Sequence, residues 1–276
     1  MGTNRQNLSD ITNWDEFLTP YFQTVEELTV KLNFISNELT VNGLHSPIER
    51  VYGRVKHVAS IIEKANRKDV PFNKIREKIE DIAGVRVICK FVEDIDHVVQ
   101  LLRMRDGFDL KIIQERDYIN NAKPSGYQSY HVIVRYKVMT VTGPMEISAE
   151  IQIRTLAMNF WATIEHSLKY KYNGNIPEDL KQRLIASAQA AHKLDIEMSK
   201  IHDEITEAQQ VVLVREGLVN SITKKIHNLY FIATLEKANE LNREFIEIYQ
   251  TCNLEELSAF NDKLTTIAHV YNVDAY

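Results

Sequence analysis

Residues 129–154 read SYHVIVRYKVMTVTGPMEISAEIQIR, and apolar and polar residues alternate through this stretch twice. In the first run Tyr130, Val132, Val134, Tyr136 and Val138 share one face, leaving Ser129 and His131 on the other. In the second run Met145, Ile147, Ala149, Ile151 and Ile153 point one way, and Glu146, Ser148, Glu150, Gln152 and Arg154 the other. A period of two is the signature of a half-buried strand. Thr142-Gly143-Pro144 between the runs supplies turn chemistry, so the two form a hairpin with their polar faces side by side.

Upstream, Gly84-Val85-Arg86-Val87-Ile88-Cys89-Lys90-Phe91 reads as another strand. A helix over about Asp94–Met104 and a strand near Phe108–Glu115 follow it. Asn13 and Glu16 are spaced as a capping box for a helix from Trp14 to about Leu39, with Phe17, Tyr21, Val25, Leu28 and Leu32 in one stripe. Asn42-Gly43 and Ser46-Pro47 end it, and a second helix covers roughly His57–Arg67. There Ile61, Ile62 and Ala65 are apolar, while Lys56, Ser60 and Lys64 stack on the other side. After Arg154 the pattern is helical: Leu156–Tyr172 ended by Asn173-Gly174-Asn175, then Pro177 to about Gln209, then at least two more helices over 218–272. The expected plan is a mixed α/β core through about residue 172, flanked by helices 14–40 and 177–209, with a helical extension over 210–276.

The composition, 44% hydrophobic and 26% charged over 276 residues, is that of a globular chain with a real core. Two cysteines, Cys89 and Cys252, allow neither a disulfide framework nor a thiolate zinc cluster, as expected in a reducing cytosol. The first ten residues lack the apolar run of a signal peptide, and no stretch is long enough to span a bilayer, so the expectation is a cytoplasmic protein without membrane contact. The net charge of −5 is uneven. Residues 50–86 hold ten Lys/Arg against five Asp/Glu, whereas 177–276 hold ten against sixteen. A basic segment in an acidic chain points to a discrete polyanion site, although a solvated helix face explains the same charge.

The nine glycines are scattered singly, so neither the P-loop spacing nor GxGxxG occurs. Phosphates must then be gripped by side chains and a metal, and Arg54, Lys56, Ser60 and Lys64 offer the donors. Asp81 precedes one strand and Glu150 projects from another; one or two carboxylates plus substrate phosphates is the usual way of holding Mg2+. Glu150 also suits the acceptor of a proton from an attacking hydroxyl, though a lone strand Glu is more often merely exposed. In Lys123-Pro124-Ser125-Gly126-Tyr127-Gln128-Ser129-Tyr130-His131, a Gly beside an aromatic at a strand entrance can present a ring to a base. A half-buried tyrosine at a hairpin tip is the plainer alternative.

Taken in order, Gly53-Arg54-Val55-Lys56, Asp81-Ile82-Ala83-Gly84-Val85-Arg86, Arg116-Asp117-Tyr118-Ile119, Gly126-Tyr127-Gln128-Ser129-Tyr130-His131, Glu150-Ile151-Gln152-Ile153-Arg154-Thr155 and residues 158–168 (MNFWATIEHSL) form a specific pattern. Over about Trp14–Gln209 the chain resembles the RelA/SpoT-type alarmone synthetases, and within them the small single-function synthetases of the RelQ kind. The resemblance implies a nucleotidyltransferase-like mixed β-sheet flanked by helices, and transfer of the β,γ-pyrophosphate of ATP to the ribose 3′-hydroxyl of GDP or GTP. It implies that Arg54 and Arg86 sandwich adenine, that Lys56, Ser60 and Lys64 hold the ATP phosphates, and that Asp81 and Glu150 bind Mg2+, Glu150 also activating the hydroxyl. It further implies that Tyr127 stacks on guanine and that Lys123, His131, Gln152 and Arg116 hold the acceptor phosphates. A homotetramer with a regulatory alarmone cleft, or regulation by RNA, belongs to the same expectation. Of the cleft only Asn159, counted among the GDP/GTP-binding residues, is retained, because Asn33, Arg50 and Tyr52 depart from the pattern. His202-Asp203 lies in a long helix with no partner cluster, so the expected enzyme makes alarmone without hydrolysing it. Two rivals are a toxic relative that places pyrophosphate on the tRNA 3′ end, which the acidic extension disfavours, and a non-catalytic nucleotide- or RNA-binding regulator.

Overall fold

The computed structural model describes residues 13–172, 176–232, 234–251 and 253–270. The expected stop at Asn173-Gly174-Asn175, Cys252 and the first ten residues lie outside them. The described residues fall into two compact units, one up to Ser199 and one from Lys200.

In the first unit, helix α1 (Trp14–Val41) is capped by Asn13, whose Oδ1 accepts from the backbone N–H groups of Asp15 and Glu16 at 3.1 and 3.3 Å. Strand β1 (Arg50–Val55), helix α2 (Val58–Arg67), a 3-10 turn (Phe72–Lys74), the short α3 (Ile75–Lys78) and strand β2 (Ala83–Cys89) follow. Then come α4 (Val92–Arg103), β3 (Leu110–Asp117), β4 (Tyr130–Thr140), β5 (Gly143–Thr155) and α5 (Leu156–Lys171). The five strands form one sheet in the order β1-β2-β5-β4-β3, in which β2–β5 is the parallel pair and the rest are antiparallel. The hairpin forms as expected: Thr140 pairs with Gly143, and Gly143 takes a φ of +116°, a conformation that glycine adopts readily.

One sheet face, carrying Val85, Val87, Val132, Val134, Ile147, Ala149, Ile151 and Ile153, is buried against Tyr21, Leu28 and Leu32 of α1 and Ile95, Val98 and Leu102 of α4. The other face carries the residues of opposite parity.

Two elements escaped the periodicity. Strand β1 has no apolar alternation, because Gly53 occupies a core-facing position and Tyr52 and Arg54 face the other way. Gly53 is required by close approach: a Cβ there would sit 2.3 Å from Val25 Cγ1 and 2.7 Å from Thr29 Oγ1. The short α3 is below the length at which a helical period is visible.

Helix α6 runs without interruption from Glu178 to Ile232, so the expected end near Gln209 is not observed. Only Gly217 breaks the propensity there, at about 1 kcal/mol relative to Ala, and no proline intervenes. In the second unit the end of α6 packs with α7 (Leu235–Thr251) and α8 (Leu254–Val270). Ile222, Ile226, Leu229, Leu241, Leu257, Phe260 and Leu264 form its core, with Leu218, Phe245 and Ile248 against it, while Tyr249 stays exposed. Among the described residues no helix is long and apolar enough to cross a membrane.

Replacing Gly53 with Ala should lower stability by about 1–3 kcal/mol, the usual effect of overpacking against β-branched neighbours. Urea unfolding checks this; an unchanged midpoint would show that β1 and α1 can separate without loss.

Candidate active site

Because side chains alternate across a strand, the register of the sheet decides which residues meet. Tyr52 pairs with Arg86, Arg86 with Gln152, Gln152 with His131 and His131 with Arg116. Five residues thus make one continuous row across all five strands. In the adjoining row Arg54 pairs with Gly84 and Gly84 with Glu150. A Cβ on Gly84 would meet only Arg54, its backbone O at 3.6 Å and Cγ at 4.0 Å. The missing side chain leaves an opening between Arg54 and Glu150, and Tyr52, Asp81, Arg86 and Gln152 complete the walls of that cavity.

Asp81, just before β2, is held by two ammonium groups: its Oδ2 accepts from Lys56 Nζ at 2.5 Å and from Lys64 Nζ at 2.6 Å. Burial pushes the Asp81 pKa up, but these two cations outweigh it and the net shift is downward. Its Oδ1 is buried and has no hydrogen-bond partner. Lys56, Ser60 and Lys64 line a second cavity with Arg54, Arg67, Asp81 and His166. Ser60 and Lys64 of α2, and Lys56 just before its N-cap His57, therefore face one cavity. Glu150, 8% exposed, accepts from Gln152 Nε2 at 2.6 Å on Oε2 and faces His131 Nδ1 at 3.0 Å through Oε1. Burial raises its pKa, and the contacts with His131 and Gln152 more than reverse that, so it is ionised at neutral pH.

The residues expected on the acceptor side also gather. Tyr127 Oη lies 2.8 Å from His131 Nε2, and Lys123 Nζ sits 4.8 Å from the Tyr127 ring centroid. Burial lowers the Lys123 pKa. Arg116 is engaged by Glu80 at 2.8 Å and by Gln114 at 2.6 Å. Asn159 on α5 accepts from Arg86 Nη1 at 3.3 Å. Sequence reasoning missed four participants. Tyr118 packs edge-on against His131 at 5.1 Å and takes Lys123 Nζ at 4.2 Å from its ring; Glu80 anchors Arg116; His166 lines the basic cavity; Arg154 bonds Tyr127. Only Arg154 carried a usable signal, the shared parity with Glu150 and Gln152. His202 and Asp203 lie mid-helix in α6, and among the described residues no group of three or more His, Cys, Asp or Glu is placed to hold a metal. The site's metal-binding potential rests on Asp81 and Glu150, and the orphaned Asp81 Oδ1 is the kind of hard oxygen that a magnesium ion takes.

An opening walled by cations and two carboxylates, on a mixed five-stranded sheet, defines a phosphate-transfer site without a glycine-rich loop. The model of the region found in RelA/SpoT proteins matches residues 53–175, and the chain belongs to that family. The GTP pyrophosphokinase YjbM of Bacillus subtilis is 54% identical over 200 residues, covering 72% of this chain and 93% of the relative. The crystal structure of the small alarmone synthetase 1 from Bacillus subtilis bound to its product pppGpp has a TM-score of 0.67 at 53% identity, covering 71% of this chain and 99% of that one. The same synthetase bound to AMPCPP has a TM-score of 0.63 at 50% identity, covering 72% and 100%.

The folded pKa of Asp81 lies below its unfolded one, so its stabilisation is complete above the ordinary carboxylate value of about 4 and is lost as pH falls through the folded value. Asp81→Asn should therefore unfold more readily than wild type at pH 7, with the difference shrinking in acid. Urea midpoints at neutral and acid pH test this; a difference that grows on acidification contradicts the assigned direction.

Proposed function

We propose that the protein is a GTP pyrophosphokinase, a small alarmone synthetase that moves the β,γ-pyrophosphate of ATP to the ribose 3′-hydroxyl of GDP or GTP and does not hydrolyse the product. The observation that carries this reading is the placement of Asp81 and Glu150 in one cavity between the Arg54–Arg86 wall and the sheet row leading to Tyr127. Relatives bound to pppGpp and to AMPCPP, an analogue of ATP, support the two nucleotide classes.

In this reading Arg54 and Arg86 flank the adenine, and Lys56 just before α2, with Ser60 and Lys64 on it, takes the ATP phosphates. Lys56 and Lys64 then exchange Asp81 for phosphate oxygens, both being point charges that rotate freely. Asp81 and Glu150 would hold Mg2+, which supplies charge neutralisation on the transferring phosphates. Tyr127 stacks on the guanine, and Lys123, His131, Gln152 and Arg116 receive the acceptor phosphates. The 3′-oxygen forms a bond to the β-phosphorus of ATP, the bridge to the α-phosphorus breaks, AMP leaves, and the hydroxyl proton passes to Glu150. Positioning and electrostatics carry the rate, since the chain forms no covalent bond with either substrate.

The homo-oligomer reading is supported by an apolar face in the first unit, where Leu156, Phe160 and Ile164 of α5 lie exposed beside Leu194 and Met198 of α6. A cytosolic location suits the free, buried Cys89, whose thiol pKa burial raises.

Incubation with Mg2+, ATP and GDP or GTP, followed by anion exchange, should yield AMP in step with a guanosine tetra- or pentaphosphate. Folded protein that makes neither, but consumes ATP on adding tRNA, would replace this reading with the tRNA-directed one. Glu150→Gln should lower synthesis by about 10²–10⁴-fold without unfolding the chain, as expected for loss of a general base. Tyr127→Ala should raise KM for the guanine nucleotide by about tenfold, in line with ~1–3 kcal/mol for a stacked base; an effect confined to ATP would contradict the stacking role.

A further inference from the structure

Five side chains close a hydrogen-bonded ring in the wall of the site. Arg154 Nη2 donates to Tyr127 Oη at 2.5 Å and to Gln152 Oε1 at 2.7 Å. Gln152 Nε2 donates to Glu150 Oε2 at 2.6 Å, Glu150 Oε1 faces His131 Nδ1 at 3.0 Å, and His131 Nε2 returns to Tyr127 Oη at 2.8 Å. Arginine only donates and an ionised carboxylate only accepts, so the direction of the arm through Gln152 is forced, while that of the arm through His131 depends on the imidazole tautomer. With a neutral imidazole, Nδ1–H points at Glu150 and Nε2 accepts from the Tyr127 hydroxyl. Arg154 is the source of both arms and Glu150 the sink of both.

Arg154 is 4% exposed, and a third bond runs from its Nε to Ser129 Oγ at 3.1 Å. All three of its hydrogen-bond partners are uncharged side chains. A guanidinium buried among neutral oxygens is a poor source of stability, because desolvation offsets most of what its bonds contribute. Its geometry is better suited to orientation. The planar fork reaches Ser129 just before β4 and Gln152 two residues away on its own strand, and the guanidinium carbon stands 5.0 Å from the Tyr127 ring centroid. The ring of Tyr127 is thereby held at its hydroxyl and against a cation, in a loop segment that no ladder pairing restrains.

We propose that Arg154 is a positioning residue for the acceptor nucleotide: it orients the Tyr127 ring and the Gln152 amide without touching the nucleotide itself. The inference rests on the reading of Tyr127 as the guanine platform. Lysine cannot replace it, since one ammonium cannot serve three oxygens in a planar fork.

The test is steady-state kinetics of Arg154→Lys, Arg154→Met and Tyr127→Phe, with direct titration of GDP and AMPCPP into each protein. Both Arg154 variants should raise KM and Kd for GDP by about tenfold while those for the ATP side stay within about twofold. Tyr127→Phe, which keeps the aromatic face and cuts both hydroxyl contacts, should show a smaller loss on the same side. Equal losses for GDP and ATP, a lowered melting temperature with unchanged kinetics, or full rescue by lysine would overturn the proposal. Should Arg154→Met fail to fold, Arg154→Lys and Tyr127→Phe decide. Tyr127→Ala separates the two levels: unchanged GDP affinity sinks the platform itself, whereas a loss there with normal Arg154 variants sinks only the positioning role.

Discussion

The parallel pairing of β2 with β5 is the constraint on which the site depends. It sets Gly84 beside Glu150 and Arg86 beside Gln152, and from those two steps the rows extend to Arg54 and Tyr52 on one side and to His131 and Arg116 on the other. A slip of one residue would send Glu150 and Gln152 into the hydrophobic face and Ile151 into the cavity. Burying Val85, Val87, Ile151 and Ile153 against α1 and α4 forbids that slip, so the apolar face pins the chemistry of the polar one. At about 25 cal/mol per Å2 of apolar surface, several such side chains outweigh any single polar contact in the site.

Electrostatic balance is the second organising fact. Burial disfavours ionisation of both Asp81 and Glu150, and the Asp81 carboxylate in the same cavity adds to this at Glu150. Both stay ionised because each has its own compensation. Asp81 has two lysines from the α2 side, and Glu150 has His131 and Gln152 from the sheet. The two sources differ in mobility. Lysines can leave for phosphate oxygens, whereas strand side chains stay put, which suits a carboxylate that must meet a hydroxyl in a fixed geometry. Burial, with the like charges of Arg154 and Arg54, lowers the Arg86 pKa. Such crowding of like charge is tolerable where anions are to be received.

The second unit obeys a different logic. Its core of Ile222, Leu229, Leu257, Phe260 and Leu264 is built on helical spacing, with Lys225 satisfied by Asn261 and by Thr265 at 2.5 Å. The relatives named above cover 71–72% of this chain, so part of its length lies outside what they explain.

Much of this was legible in order along the chain. Strict alternation over 130–138 and 145–153 identified the hairpin, and the same parity placed Glu150, Gln152 and Arg154 together. Helical spacing located α1 and the basic face of α2, and the sequence pattern alone pointed to the family and hence to the residues worth testing. What local pattern does not contain is pairing between distant segments. Strand β1 was invisible because Gly53 is shaped by its closeness to Val25 and Thr29, a tertiary fact. The continuity of α6 past Gln209 reflects propagation through a weak spot that propensity alone would have broken. Glu80, Tyr118 and His166 join the site only because the approach to β2, the exit from β3 and helix α5 converge there. The sequence by itself determined the elements, their faces and the residue types of the chemistry, since these follow from periods of 2 and 3.6. The tertiary structure alone decided which faces meet, because register and crossover are settled by burial summed over the whole sheet.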